Sequence, residues 1–237
     1  MANAIAVVGD SGSGKSTSLG QLPELEIQGL DPKETFIIND KGKTLPIIGW
    51  KTKYVAIDTS KPPTEGNYLA TTDAALIIKT MAYININRPD IKTVVLDDAQ
   101  YVMSEEFMAN ALKAGYDKFN RMAKNMYDII NTGINMRDEI NFIMLTHDDE
   151  EDGKSKIKTL GKMLDDKVNL AGLFTVVLYT TTRTTSTGTQ YYFVTNKHID
   201  DRGIHIMAKS PIGMFDEKLI KNDMGLVLDK IEQYNKG

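Results

Sequence analysis

Residues Gly9 to Ser16 read Gly-Asp-Ser-Gly-Ser-Gly-Lys-Ser, which satisfies the spacing G-x-x-x-x-G-K-[ST], and the apolar run Ala4–Val8 leads straight into them. An octamer of this kind holds phosphate. Glycines at Gly9, Gly12 and Gly14 let the backbone curl until successive N–H groups aim at phosphate oxygens, and a helix opening on the loop adds its positive end. Lys15 reaches for the β- and γ-phosphates, Ser16 offers a hydroxyl to Mg²⁺, and Thr17 supplies a second hydroxyl close by. The expected cradle is therefore Gly9, Asp10, Ser11, Gly12, Ser13, Gly14, Lys15, Ser16 and Thr17. A flexible Gly/Ser turn is the competing reading, but a turn needs neither the lysine nor a strand ahead of it.

A phosphate loop needs a carboxylate for its metal, and Thr93-Val94-Val95-Leu96-Asp97-Asp98 is a buried strand ending in one. In a parallel sheet the C-terminal strand ends share one crevice, so Asp97 is expected beside Lys15 and Ser16, holding Mg²⁺ directly or through water. Asp98 is next in line to orient or deprotonate a water, or else it caps the following helix. The strand Asn141–Leu145 ends in Thr146-His147, which makes His147 the candidate sensor of the γ-phosphate; a structural histidine is the alternative. Hydrolysis further asks for a cation against the developing charge, and Arg183, Lys197, Arg202 and Lys209 are available in the last third of the chain.

These groups need elements to position them. Strand-like runs fall at Ala4–Val8, Thr35–Ile38, Lys53–Ile57, Thr93–Leu96, Asn141–Leu145, Phe174–Thr180, Gln190–Thr195 and Ile204–Ala208, with helical stretches at 15–22, 71–87 and 104–137. Alternation of strand and helix predicts an α/β fold with a mostly parallel, helix-flanked sheet; the last three strands, joined by short polar turns, predict an antiparallel C-terminal extension. Residues 216–237 read as one short helix at most. Residues 148–162 carry five acids followed by Lys154, Lys156, Lys158 and Lys162, a pattern for either a solvated loop or a mobile functional one.

Composition bounds the rest. With 237 residues, no linker and no repeat, one domain over 1–237 is expected. The absence of cysteine removes disulfides, thiolate metal sites and cysteine nucleophiles, and three scattered histidines do not suggest zinc. Without a leader-like or membrane-length apolar run, a soluble, cytoplasmic protein is expected. A net charge of −4 gives no global field toward nucleic acid, so any such contact must be local.

The order of parts resembles the RecA-like core of the P-loop NTPases, and more closely the compact phage nucleotide-binding proteins that act as RecA-like single-strand annealing proteins. The resemblance is carried by residues 9–17, Val-Val-Leu-Asp-Asp at 94–98, Leu-Thr-His at 145–147, Gly-Leu-Phe-Thr-Val-Val-Leu-Tyr at 172–179 and Ala-Lys-Ser-Pro-Ile-Gly-Met-Phe at 208–215. It implies ATP and Mg²⁺ as ligands, slow hydrolysis, and action on single-stranded DNA in phage recombination or annealing, within a host cytoplasm. It also implies a homo-oligomer, ring or filament, with a single-strand DNA-binding protein as a further partner. Residues 148–170 would stand where such proteins carry a DNA-contacting loop, so that Lys154, Lys156, Lys158 and Lys162 meet the phosphate backbone. Lys209 would resemble the lysine that reaches a neighbour's ATP. The chain departs from the pattern in its catalytic glutamate: Asn39-Asp40 or Asp58 stands where a glutamate is usual, leaving the base open among Asp98, Asp40 and Asp58. Two further readings are a nucleotide-gated regulatory or assembly module with little turnover, and a small-molecule kinase, which the lack of arginine in 148–170 disfavours.

Overall fold

The structure, a computed structural model, describes residues 1–40, 42–160, 168–186 and 188–237. In chain order its first elements are β1 (Asn3–Val8), β2 (Thr35–Asn39), α1 (Trp50–Lys53), β3 (Tyr68–Ala70), α2 (Ala74–Asn87), β4 (Thr93–Leu96), α3 (Gln100–Ala109), α4 (Asp117–Ile134) and β5 (Asn141–Thr146). They are followed by β6 (Asp148–Glu151), β7 (Lys154–Ile157), α5 (Leu170–Leu173), β8 (Val176–Thr185), β9 (Gly188–Val194), β10 (His198–Ile199), β11 (His205–Ile206), β12 (Leu219–Lys221) and α6 (Met224–Lys236).

Eight strands form one sheet in the order β12-β9-β8-β1-β5-β4-β2-β3. From β8 to β3 every neighbouring pair is parallel, whereas β8–β9 and β9–β12 are antiparallel. This is an α/β arrangement with a mostly parallel, helix-flanked sheet and an antiparallel extension: the loop-bearing β1 is central, and β5 separates it from the carboxylate-bearing β4.

Alternation along the strands divides the core in two. Ala4, Ala6, Val8, Val94, Leu96, Phe142 and Met144 face a layer made by α2, α3 and α4. Ile5, Val7, Val95, Ile143 and Leu145 face the other way, onto Leu19, Tyr54, Met224, Val227 and Ile231. Strands buried on both faces must be apolar at every position, which is why β1, β4 and β5 read as unbroken apolar runs. The α4 layer sits close: a Cβ on Gly133 would stand 2.5 Å from the Phe142 ring.

Several local expectations are corrected. The helical stretch at 15–22 is only a single 3-10 turn, Ser16–Leu19, before Gly20 turns extended. Pro23 disfavours helical geometry at Leu22, and the returning chain passes so near that a Cβ on Gly29 would lie 2.2 Å from the Gly20 carbonyl oxygen. The stretch 104–137 is two helices, because Lys118 Nζ reaches back to the carbonyls of Asn110, Ala111 and Lys113 (3.4, 3.2 and 2.7 Å) and closes the end of α3. At Lys53–Ile57 the chain makes α1 and one isolated bridge, Ala56 to Tyr68, while the strand itself is β3. The helix expected over 71–87 is α2, capped by the Asp73 carboxylate on the Ala75 and Leu76 N–H groups.

The C-terminal extension also differs in membership. The first half of β8 is parallel to β1, and the third member of the extension is β12, which the expectation of a lone helix in 216–237 overlooked. The segment expected as a strand at 204–208 contributes β11 instead to a second, four-stranded sheet of order β10-β11-β7-β6. Residues 148–157, expected as a loop, form the β6–β7 hairpin of that second sheet.

Candidate nucleotide-binding site

The loop leaves β1 at Gly9, whose N–H bonds to the Thr146 carbonyl at the end of β5. A Cβ on Gly9 would stand 1.8 Å from Thr180 Oγ1, so a side chain there is excluded by β8. Gly12 and Gly14 take φ values of +75° and +93°, the left-handed region that glycine enters without penalty. The loop is braced from outside as well: Thr180 Oγ1 donates to Ser13 Oγ at 2.6 Å, and Ser13 Oγ donates to the Asp10 carbonyl at 2.6 Å. Lys15 is buried, and its ammonium donates to the carbonyls of Gly9 and Asp10 at 2.6 and 2.7 Å. Burial lowers the Lys15 pKa, opposed by the carboxylates of Asp98, Asp97 and Asp148.

The carboxylate expected across from the loop lies next to it. Ser16 Oγ donates to Asp97 Oδ1 at 2.9 Å. Asp97 is buried, and burial together with the neighbouring Asp98 pushes its pKa up to about 6, against the Ser16 hydrogen bond and the charges of Lys43 and Lys15. The Asp97-Asp98 turn is pinned on both sides: Asp97 N donates to Ile38 O of β2 at 2.8 Å, and Ala99 N to Leu145 O of β5 at 2.9 Å. Between them Asp98 adopts φ +54°, a strained conformation for an aspartate that its surroundings must impose.

These residues suit Mg²⁺: a hydroxyl and a desolvated carboxylate 2.9 Å apart are hard oxygen donors, and Ser16 and Asp97 would hold such an ion. Among the described residues no cluster of three or more acidic, histidine or cysteine ligands exists.

The remaining groups form a network around Asp98. Lys43 Nζ makes an ion pair with Asp98 Oδ2, and His147 Nε2 lies 3.7 Å from Asp98 Oδ1. Gln100 joins the two strand ends, donating to Asp98 Oδ1 at 3.4 Å and accepting at Oε1 from Thr146 Oγ1 (3.4 Å) and the His147 N–H (3.3 Å). Burial and the charge of Lys15 lower the His147 pKa, which keeps the ring neutral near pH 7. Lys43 is raised by its bond to Asp98, although its own partial burial pulls the other way.

The structure thus brings Gly9 to Thr17, Asp97, Asp98 and His147 to one crevice. It does not bring Lys209 there: that residue bridges Val177 on β8, N–H to carbonyl in both directions at 2.9 and 2.8 Å. Lys154 and Lys156 lie on β7 with acids in register opposite, Glu151 and Asp149, and Lys156 makes an ion pair with Glu151. Lys158 N donates to the His147 carbonyl at 2.9 Å. Lys162 lies outside the described residues. Asp58 is exposed and accepts from Ser60 Oγ at 2.6 Å, and Asp40 follows β2, three strands from β1.

Three residues escaped the sequence reading. Lys43 sits in the excursion after β2, held there by Asn39 Nδ2 donating to the Lys43 carbonyl at 2.7 Å, and only its closeness to a strand end next to β4 could have signalled it. Gln100 follows the Asp-Asp pair directly, and Thr180 ends the apolar run of β8, which are positional signals that the residue types alone do not carry.

No family model matches the chain, and no curated protein matches it. Among solved structures it is similar to the genome packaging NTPase of Sulfolobus turreted icosahedral virus 2 in complex with ATP-gammaS, at 13% identity over 77% of this chain and 76% of that one, with a TM-score of 0.38. It is also similar to a KaiC-like protein of Pyrococcus horikoshii OT3, at 9% identity over 86% of this chain and 88% of that one, with a TM-score of 0.44. Likenesses this distant say nothing about substrate. Among the described residues no helix is long and apolar enough to cross a membrane.

Proposed function

We propose that residues 1–237 form a single domain that binds ATP with Mg²⁺, hydrolyses it slowly, and passes the state of the nucleotide to the β6–β7 hairpin. The observation that carries this reading is the Ser16 Oγ to Asp97 Oδ1 contact at 2.9 Å beneath a glycine-built loop with a buried Lys15. When bound, Mg²⁺ would supply neutralisation of phosphate charge. Ser16 and Asp97 would hold it. The loop N–H groups and Lys15 would orient the phosphates, which requires the Lys15 ammonium to leave the carbonyls of Gly9 and Asp10 that it now contacts. His147, with Thr146 and Gln100, would register a γ-phosphate: it is the single residue between the end of β5 and the start of β6, and its N–H is held by Gln100.

Single-stranded DNA is the proposed partner of that hairpin, with assembly of several copies and Lys209 reaching a neighbour. Residues 148–158 hold five acids and three lysines, and Lys156 is engaged by Glu151, so phosphate contact requires Lys156 to give up that partner and the others to act among acids. The proposed binding is accordingly weak and steeply salt-dependent. The second reading, a nucleotide-gated assembly or regulatory module with little turnover, is favoured by one observation: the Asp98 carboxylate is already engaged by the Lys43 ammonium and contacted by Gln100.

ATP turnover and assembly size, measured with and without single-stranded DNA for the native chain and Lys15→Ala, separate the readings. Turnover stimulated by DNA, with nucleotide-dependent oligomers, supports the DNA-acting reading; tight ATP binding without either leaves the regulatory module. Turnover that appears only with a small acceptor returns the kinase.

A further inference from the structure

The strand ends opposite the phosphate loop carry a row of polar side chains. Thr35 of β2, Thr93 of β4, Asn141 of β5 and Asn3 of β1 are partners in register on neighbouring parallel strands. Each precedes a residue of the core beneath α2, α3 and α4, namely Phe36, Val94, Phe142 and Ala4. By strand alternation the four side chains therefore stand on the other face, the one that α6 covers. There the row floors a cavity of about 520 Å³, bordered on its far side by Leu228, Asp229 and Glu232 of α6.

The two halves of the row are served differently. Asn3 Nδ2 donates to Asn141 Oδ1 at 2.9 Å, and Asn235 Nδ2 of α6 donates to Asn3 Oδ1 at 3.3 Å, which ties that half to the helix. Thr35 and Thr93 are only 1% and 4% exposed, yet neither hydroxyl has a hydrogen-bond partner among the described residues. Neither is sealed off: both residues border the cavity, and neither oxygen is among the unpartnered polar atoms closed to solvent. Adjacent hydroxyls withdrawn from bulk water without a partner are costly, so a pair of them on one wall marks a place where a bound molecule supplies the bond.

The rim sets its charge. Asp31 and Glu34, just ahead of β2, and Asp229 are exposed, border the cavity and pair with no cation among the described residues. The other acids there are engaged: Asp138 by the N-terminal amine, Glu139 by Arg137 and Glu232 by Lys236. Lys92, the unpaired ammonium on this wall among the described residues, offsets one of the three free carboxylates. A negative rim above a floor of neutral acceptors suits a cation that donates hydrogen bonds. Among the described residues no three acids come close enough together to hold a metal ion, which favours an organic cation.

We propose that this cavity binds a small aliphatic diamine, one ammonium donating to Thr35 Oγ1 and Thr93 Oγ1 on the floor and the other facing Asp31, Glu34 and Asp229 at the rim. Its methylene chain lies along Leu30 and Leu228, which also border the cavity. The site is at the end of β1 away from Gly9 and does not depend on the nucleotide reading.

The test is calorimetric titration of 1,4-diaminobutane, 1-aminobutane, 1,4-butanediol and magnesium chloride into the native chain, Thr93→Val, Thr35→Val and Asp229→Asn, with thermal melts of each unliganded protein. The native chain should bind the diamine at least about tenfold more tightly than the monoamine and give no heat with the diol. Thr93→Val, which removes the hydroxyl and keeps the side-chain shape, should weaken diamine binding about tenfold, and Asp229→Asn about threefold. Should the melts show Thr93→Val unfolded, Thr35→Val supplies the same reading. Absence of diamine binding to the native chain overturns the proposal, as does a monoamine or diol that binds as tightly. Diamine affinity unchanged in both threonine variants means attraction by surface charge alone and overturns it too, and Mg²⁺ that displaces the diamine at equal concentration replaces it with a metal site.

Discussion

The crevice at the ends of β1, β4 and β5 and the adjoining β6–β7 hairpin are built from the same residue types, lysine and aspartate or glutamate, and use them in opposite ways. In the crevice Lys15, Asp97 and Asp98 are 5%, 3% and 3% exposed. On the hairpin Lys156 and Glu151 pair in solvent, and Arg202 joins Glu150 and Asp200 with all three at least partly exposed. Exposed pairs gain about 0–1 kcal/mol because water already serves both ions. Buried ones lose hydration that their neighbours restore only in part. The hairpin charges follow the surface, whereas the crevice charges persist against their own cost, which is intelligible if a phosphate chain and a cation complete them.

Lys15→Ala tests this contrast most severely. Loss of the buried ammonium should weaken ATP binding at least about a hundredfold, read by titration with a fluorescent analogue; an unchanged affinity removes the distinction between the regions.

Asp97→Asn sharpens it from the side of stability. A carboxylate whose pKa is pushed up binds its proton more tightly folded than unfolded, so its penalty is complete above about pH 6 and fades as the pH falls toward 3.8. The climb from 3.8 to about 6 corresponds to about 3 kcal/mol. The ligand-free native chain should therefore gain stability from this group between pH 7.5 and 5, and Asp97→Asn should be the more stable protein at pH 7.5 while lacking that gain. Thermal melts across the range check it, and parallel slopes for the two proteins would count against the burial argument.

Lys43→Ala leaves Asp98 buried beside Asp97 without its ammonium. Because Lys43 itself is 55% exposed, the expected loss is about 1–2 kcal/mol in urea unfolding, smaller than for a fully buried pair. Lys156→Ala marks the low end: removing a hairpin cation should change stability by less than about 0.5 kcal/mol. A larger loss there would mean the hairpin pairs are structural, and the contrast between the regions would narrow.

The same contrast explains what could be read from the sequence. That the loop after β1, Asp97 and His147 meet in one crevice was legible because each ends an apolar run, and in a parallel sheet those ends converge whatever the loops do. The hairpin was not: with acids on one strand and lysines on the other, residues 148–157 lack any apolar alternation to betray a strand, and only Ser155 and Ile157 are buried within β7. The break between α3 and α4 had one signal in the sequence, Gly115, which takes φ +92°, whereas the closing of the α3 carbonyls by Lys118 is a contact local order does not announce. The short turn after Ser16 was masked by good helix residues, its end being fixed by Pro23 and by the crossing at Gly29. Lys43 owes its place to tertiary contacts alone.

The most direct measurement is a calorimetric titration of ATP into the native chain and into Asp97→Ala, each with magnesium and with magnesium chelated. A triphosphate and its cation held between the β1 turn and the end of β4 requires native binding that weakens at least about tenfold on chelation, and an Asp97→Ala protein that no longer responds to magnesium. Absence of binding to the native chain, or an identical magnesium response in the two proteins, contradicts it.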